Sequence, residues 1–560
     1  MSVLVVGGGP AGLATALFLA RAGVAVVLLD RRAETSSLPR ATHVTRRTME
    51  LLREAGLEDA VAAVGFEVVA GDDPRADTEP DRVLPRSVVG VRSLAELDGA
   101  EVLETGEEEL AVPGPCPPYW CGQDRMEPLL RDAAVRAGAD VRFGHELTDL
   151  TVRVDGVLAQ VRSPDGGTVT LTARYLVAAD GAHGWIPERV GIARAGLGTV
   201  ASRISVLFRA DLTRLVKGRR FFMSMIENPG FSGAVMQLNG EHAWAAAVES
   251  QAVGAGDGPP DPDRCLDLVR AAIGDPGVAV ELSGTLRWQA RHRIAERYGR
   301  GPVFLVGDAA HLHPPAGGYG SNMGMQDAHN LAWKIAAVLG GWAGPGLLDT
   351  YDKERRPVGF ATAQQALLLD GVPSERLGGV TLCDPRVIIM GYRYHSPAVP
   401  GSAVKPDGAF PATFDLSGAP GTRLPHLPVR LVHGARTSLS STLDLCWPTP
   451  DGPHLTLLAT DDRWRRTAAE VGRELAVPVT AHTVGVGREA WPTTFARSCG
   501  TGPGGALLVR PDGFVAWRSE SAAAPRGALR HQRLASAVRG IVAPLPDRLG
   551  TPPLILRSGR

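Results

Sequence analysis

Three glycines and one carboxylate near the start of the chain are spaced to hold a diphosphate. Gly7, Gly9 and Gly12 fill the pattern G-x-G-x-x-G, with Pro10 and Ala11 between the last two. The first glycine of such a pattern permits a tight turn, the second lets backbone N–H groups approach a pyrophosphate, and the third lets a helix pack closely on a strand. Asp30, with Arg31 beside it, follows at the separation of about 20 residues at which a carboxylate can accept hydrogen bonds from a ribose 2′-OH. The glycine spacing alone is weak, and its surroundings make it specific. Residues 3–6 read as an apolar strand, 13–22 as an amphipathic helix whose dipole faces the phosphates, and 24–29 as a second strand delivering Asp30. Together these predict a bound dinucleotide. A second match, Gly500-Thr-Gly-Pro-Gly-Gly505, is followed by a strand-like run and an Asp512-Gly513 turn, and is excluded because no helix follows it.

Two more carboxylates are spaced for ligand chemistry. Asp180 and Gly181 form the turn that ends a buried strand expected from Tyr175, within 175–182; Gly307 and Asp308 end another that begins at Gly301. The carboxyl ends of strands are where open α/β sheets bind ligands. From His313 to Gly324 the chain is dense in glycine and proline, including Pro315, Gly318, Gly320, Ser321 and Asn322, and a helix is expected over 325–339. Such a loop offers several N–H groups and a positive helix end to an electron-rich partner. Upstream, Thr45 is placed to cap a helix from about Arg46 that Gly56 closes. The pair His311-x-His313 has no third ligand nearby, and the 6 cysteines form no CxxC, so no metal site and no disulfide framework are expected. No GxSxG elbow supports hydrolase chemistry.

The elements that must position these groups fit a large multidomain chain. With 560 residues, 44% of them hydrophobic, roughly two to four domains with sizeable cores are expected. A net charge of −1 gives no basic field for nucleic acid or an acidic membrane surface, and the basic cluster at 217–220 reads as solvated surface. The first strand leaves no room for a signal peptide, and the apolar stretch at 13–29 is broken by Arg21 and Gly23, so a cytoplasmic protein without a membrane segment is expected. Seams fall at 71–86, 254–263 and 396–421, the last read as a domain linker. Between 192 and 288, strands are expected over 204–210, 233–238 and 242–248. Phe221, Met223, Met225, Phe231, Met236 and Trp244 are candidates, as a set, for lining an apolar cavity that takes a planar, hydrophobic small molecule. After residue 421, strands over 429–433, 455–459, 481–484, 506–509 and 515–517 alternate with a helix over 463–475.

Taken in order, Gly7-x-Gly9-x-x-Gly12, Pro39-Arg40-Ala, Arg47-Thr-Met-Glu-Leu, Gln123, Asp180-Gly181, Gly307-Asp308, Pro315-x-Gly-Gly318-x-Gly320-x-Asn322, and Tyr351 with Glu354-Arg-Arg-Pro357 resemble the single-component FAD-dependent aromatic hydroxylases. These are the group A flavoprotein monooxygenases, and the likeness is strongest to the branch that tailors aromatic polyketides in actinomycetes. The match spans residues 1–395. The resemblance implies an α/β and α+β fold: a Rossmann-like FAD-binding domain of glutathione reductase type over 1–190 and 289–395, with a substrate-binding sheet over 191–288. Beyond the linker 396–421 it implies a thioredoxin-like domain over 422–560 that lacks CxxC, whose role is packing on the catalytic body or self-association into a homodimer.

The implied chemistry is hydroxylation of a phenolic or polycyclic substrate by non-covalent FAD, NAD(P)H and O2 through a C4a-hydroperoxyflavin. The same scaffold leaves open a Baeyer–Villiger outcome or non-catalytic flavin binding. By the resemblance, Gly7, Gly9, Gly12 and Asp30 hold the ADP half, Arg40 lies near the flavin and pyrophosphate, and Gln123 and Asp308 meet the ribityl chain. Asp180 belongs to a motif touching FAD and NAD(P)H. Pro315, Gly318, Gly320 and Asn322 line the isoalloxazine. Since the flavin performs the oxygen chemistry, no protein acid or base is required; Tyr119, Tyr319, His311 and His313 are candidates for polarising a phenol. Arg47, with Arg40 and Arg46, is a candidate for steering flavin movement.

Overall fold

The computed structural model describes residues 1–79, 82–216, 221–238, 242–253, 260–402, 408–433, 436–484, 491–502, 504–520 and 527–543. The basic cluster at 217–220, positions 254–259 of the second seam and 403–407 of the linker lie outside the described residues.

The opening apolar run forms strand Val3–Val6, in the middle of a six-stranded sheet ordered Gly299–Arg300, Val303–Leu305, Tyr175–Ala178, Val3–Val6, Val26–Asp30, Asp140–Phe143. The four central strands are buried at every position, as strands of a parallel sheet covered on both faces must be. Their register puts Val6 beside Leu29 and Ala178, and Ala178 beside Leu305. The carboxyl ends therefore coincide, and the glycine turn, Asp30, Asp180 and Asp308 emerge along one edge.

Helix Pro10–Arg21 starts directly at the turn, because proline at the first helical position gives up only an N–H that would be unpaired anyway. It packs against helices Gln123–Arg136 and Gly320–Leu339. The latter begins at Gly320 rather than residue 325. Glycine density suggested loop there, but the Asn322 side chain ties this first turn to its neighbours. Nδ2 donates to Gly318 O and His43 O, both at 2.8 Å, and a tertiary anchor of this kind overrides local propensity.

The second sheet has eight strands, ordered His311–Leu312, Glu281–Ala295, Arg194–Arg209, Ala243–Glu249, Phe231–Gln237, Met223–Asn228, Val88–Val91, Glu101–Glu104. It thus recruits strands from well outside 191–288. Helix Pro262–Ile273 covers one face, burying Ile204, Val206, Phe208, Val248, Leu268 and Val269. A separate antiparallel sheet of Glu146–Arg153, Gly156–Arg162 and Thr168–Ala173 was not foreseen.

The C-terminal module carries a four-stranded sheet ordered Val479–Thr483, Leu455–Ala459, Ala506–Val509, Val515–Ser519, with helices Arg463–Leu475, Trp491–Cys499 and Gly527–Val542. The discarded glycine pattern at 500–505 runs into strand Ala506–Val509. The segment before the module is not a loose tether: Tyr394 N–H donates to Gly421 O (2.9 Å), Tyr394 stacks on Phe514 at 4.0 Å, and Val399 and Ala409 are buried with them.

Candidate functional site: a cleft at the strand ends

At the glycine turn, two glycines are required by the protein and one is not. A Cβ at Gly7, where φ is +111°, would collide with Ala179 O, and one at Gly12 would collide with Gly7 O. Gly9 has ordinary angles (φ −79°, ψ −177°), and the nearest atom to a Cβ there is Glu127 Oε1 at 4.0 Å. The space beside Gly9 is therefore not filled by the described residues of the chain. It lies at the N-terminus of helix Pro10–Arg21, whose first N–H groups donate to no capping side chain among the described residues, so the positive helix end faces it.

Asp30 closes the turn. It accepts from Gly8 N–H (2.6 Å) and from Arg32 N–H (2.7 Å). The guanidinium beside it is Arg32 (3.1 Å), whereas the expected Arg31 is exposed. Gln123 donates to Glu127 Oε1 and Ser36 N–H to Glu127 Oε2, both at 2.6 Å. Glu127 is fully buried and was missed in the sequence. Its i, i+4 relation to Gln123 on helix Gln123–Arg136 was the available signal.

The other two carboxylates are short of partners. Asp180 Oδ2 accepts from Ile186 N–H (3.0 Å), but Oδ1 is buried without a partner among the described residues. Burial pushes its pKa up to about 6. Asp308 is exposed, yet desolvation by surrounding protein raises its pKa. A carboxylate open to solvent and still hemmed in by protein lies on the floor of a cleft, and among the described residues Asp308 has no hydrogen bond or ion pair. Gly307 beside it (φ +60°) approaches Ala11 and Gly324 closely, bringing the starts of both long helices to the same cleft. Beneath, fully buried Asp327 accepts from His311 Nε2 (2.6 Å), Gly307 N–H (3.1 Å) and Arg355 Nε (2.7 Å), which fixes the turn that presents Asp308.

The loop from Pro315 is held by its own side chains. Pro315 is exposed, and Gly320 and Ser321 are half-buried; Gly318 takes φ +67° against His43. The Asn322 Oδ1 accepts from Thr45 N–H (3.0 Å), so with both amide groups engaged Asn322 positions the loop instead of offering its side chain to a ring. Thr45 stands at the start of helix Arg46–Glu54 without capping it through its side chain.

Other expected residues are engaged by the protein itself or lie outside the packed core. Arg47 points away from the cleft: buried, it donates to Glu50 Oε2 (3.0 Å) and to Asp512 O (2.8 Å) of the C-terminal module, because its place on helix Arg46–Glu54 is on the face turned to that module. Arg46 bonds Cys116 O and Leu110 O. Tyr119 and Tyr319 are buried in apolar clusters, and burial raises the Tyr119 phenol. Burial also lowers the His313 imidazole to about 4. Arg40 is exposed. Of the apolar set, Phe221, Phe231 and Trp244 belong to the core beneath helix Pro262–Ile273, since alternation along a strand sends successive side chains to opposite faces. Met223 and Met225 pair with Met236 and Ala234 on the opposite face. That face also carries Arg203, whose Nη1 reaches Asp370 Oδ1 (2.6 Å) past the end of helix Gly346–Leu369.

The cleft therefore offers unfilled space at Gly9, two helix N-termini and two under-partnered carboxylates. This suits a ligand with a diphosphate to take N–H bonds and hydroxyls to donate to Asp308, and FAD has both. A family model described as FAD binding domain matches residues 1–366, and one described as aromatic-ring hydroxylase, C-terminal, matches 417–544. The chain is 42% identical over 529 residues to the tetracenomycin B2 monooxygenase-dioxygenase of Streptomyces olivaceus, covering 93% of this chain and 95% of that protein. It is 38% identical over 545 residues to an aklavinone 12-hydroxylase of Streptomyces purpurascens, covering 94% and 96%. The crystal structure of a ternary complex of aklavinone-11 hydroxylase with FAD and aklavinone matches with a TM-score of 0.83 at 34% identity, covering 97% of this chain and 98% of that one. The chain belongs to the FAD-dependent aromatic-ring hydroxylases, the flavoprotein monooxygenases that include the polyketide hydroxylases of Streptomyces.

Proposed function

We propose that this enzyme hydroxylates a polycyclic aromatic polyketide, using NAD(P)H and O2. The observation that carries the reading is the cleft itself: space kept clear at Gly9, with Asp308 unpartnered on its floor. In this reading the six-stranded parallel sheet and its glycine turn act as a Rossmann-like FAD-binding unit, and the C-terminal module is thioredoxin-like and redox-inert. When bound, FAD supplies the electron transfer and oxygen activation. The chain's own residues bind and orient. N–H groups from Gly9 onward hold the diphosphate; Asp308 accepts from ribityl hydroxyls; the loop 315–320 gives backbone N–H groups to the electron-rich edge of the ring.

The open face of the eight-stranded sheet supports a planar aromatic substrate. Strand His311–Leu312 at the sheet edge runs directly into the flavin loop, and Met223, Met225 and Met236 offer an apolar, adaptable surface. No side chain of the cleft needs to act as acid or base, consistent with Tyr119 and Tyr319 lying in packed clusters. The test is product analysis with purified enzyme, FAD, NAD(P)H and 18O2 against a panel of polycyclic phenols. Ligand-dependent NAD(P)H oxidation with one labelled oxygen in a phenol or quinone product supports the reading. A lactone would redirect it to Baeyer–Villiger chemistry, and FAD binding with no NAD(P)H consumption by any ligand would contradict it.

A further inference from the structure

Helices Arg46–Glu54 and Gly320–Leu339 both make polar contacts with the C-terminal module. At the cleft end, the two helices are joined by Asn322, which accepts from Thr45 N–H (3.0 Å) and donates to Gly318 O (2.8 Å). They are joined again through a hairpin of the C-terminal module at 510–514, which meets the short helix in its first turn at Arg47 and the long helix at its middle, at Asn330. The carbonyl of Asp512 accepts from Arg47 Nη2 (2.8 Å) on the short helix, and its carboxylate from Asn330 Nδ2 (3.0 Å) on the long one. Asn330 lies about two turns beyond Asn322. The hairpin is itself fixed. Arg510 binds Glu354 at 2.5 and 2.8 Å, Glu354 also accepts from Lys334 (2.7 Å), and Phe514 stacks on Tyr394. Arg510, Glu354 and Lys334 have no side-chain exposure.

We propose that this hairpin is a positioning device for the flavin cleft: by tying the first turn of the short helix to the middle of the long one through Asp512, it holds the starts of both helices, and the glycine loop before the long one, where FAD is bound. The proposal rests on the reading of the cleft as the FAD site. A simple packing contact would need only apolar area. Buried ion pairs contribute little net stability relative to well-packed apolar groups, whereas directed hydrogen bonds to two specific helices fix a geometry. Among the described residues the hydrogen-bond partners of Arg47 and Asp512 are Glu50, Asn330, Arg510 and each other, so both act through the helices they join.

Arg47 can be removed cleanly because its partner Glu50 keeps Arg423, whose Nε donates at 2.8 Å; no buried carboxylate is stranded. In the full-length protein, Arg47→Ala should keep the wild-type circular dichroism and unfold as one unit. Its FAD dissociation constant, from flavin fluorescence titration, should rise about tenfold, the cost of one displaced hydrogen bond to the cofactor. Arg47→Met, which preserves packing on Phe514, should show the same rise and serves if the alanine variant does not fold. Arg47→Lys, able to donate to Asp512 O, should recover most of the affinity. Arg539→Ala, which breaks a surface pair with Glu474 inside the module, should leave it unchanged. FAD affinity in Arg47→Met equal to wild type, or no recovery in Arg47→Lys, would overturn the proposal. Wild-type protein that takes up no FAD would instead overturn the cleft reading, before any variant is compared.

Discussion

The cleft and the joint between modules are built from the same materials and finished differently. In the joint, every carboxylate meets a cation. Burial alone would raise Glu354 and Asp512, but Arg510 overcomes it in both, and with Lys334 it holds the Glu354 carboxyl far below the usual range. In the cleft, burial wins. Asp180 and Asp308 are both raised, with no cation among the described residues in hydrogen-bonding contact with either. The chain compensates four charges in this buried junction and leaves two without a cation at its strand ends, which the proposed reading assigns to cofactor atoms. The difference separates residues that hold the protein from residues that hold its ligand.

The largest effect should come from the joint. Removing one partner of a buried pair strands the other, so Arg510→Ala should cost about 3–5 kcal/mol in urea unfolding, and Arg510→Lys, which keeps a cation between Glu354 and Asp512, should cost less. A loss under about 1 kcal/mol in Arg510→Ala would mean that water reaches the joint and that the contrast with the cleft is false. In the cleft the order reverses. Asp308→Ala should leave the apo-protein as stable as wild type or slightly more so, since it removes an unpaired, desolvated charge. FAD affinity should fall roughly 10- to 150-fold, corresponding to about 1.5–3 kcal/mol of charge-assisted hydrogen bonding. Paired calorimetry without and with FAD measures both halves.

A smaller effect concerns pH. Asp180 titrates near 6 in the folded protein against 3.8 for the ordinary group, so the folded state holds its proton more tightly. Its stabilising contribution is present below about pH 4 and is lost as pH rises through about 6. With about 1.4 kcal/mol per pH unit and a discount for its partial exposure, this amounts to about 1–2 kcal/mol. Asp180→Asn, which mimics the protonated form, should flatten apo-protein stability between pH 4 and 7. A wild-type profile that rises over this interval with the same slope as the variant would show that Asp180 is solvated after all.

Much of the cleft was legible in the sequence because spacing encodes it. A glycine forced to φ +111° at Gly7, a close approach at Gly12 and a carboxylate ending each of three parallel strands are local demands on residue type, visible without the fold. What was not legible depends on which face a residue takes after folding. Arg47 looked like a cleft residue from its neighbours in sequence, but helix Arg46–Glu54 turns it to the C-terminal module. Phe221, Phe231 and Trp244 cannot be distinguished from Met223, Met225 and Met236 by composition; only strand register sorts core from open face. Glu127 was hidden inside an ordinary amphipathic helix, and the joint was invisible because Glu354 and Arg510 are far apart in the chain. The early start of helix Gly320–Leu339 reflects an anchor, Asn322, that works only once the short helix is in place.

The central claim, that the turn is shaped around a diphosphate as well as around its own backbone, is tested most directly at Gly9. Its angles suit alanine, and a Cβ meets nothing closer than 4.0 Å. Gly9→Ala should therefore unfold within about 0.5 kcal/mol of wild type as apo-protein, in contrast to Gly12→Ala, whose Cβ collides with Gly7 O. Its FAD affinity, measured by isothermal titration, should drop by at least about tenfold, as the methyl group occupies the space through which N–H groups reach the pyrophosphate. Unchanged FAD affinity in a stably folded Gly9→Ala protein would contradict the account.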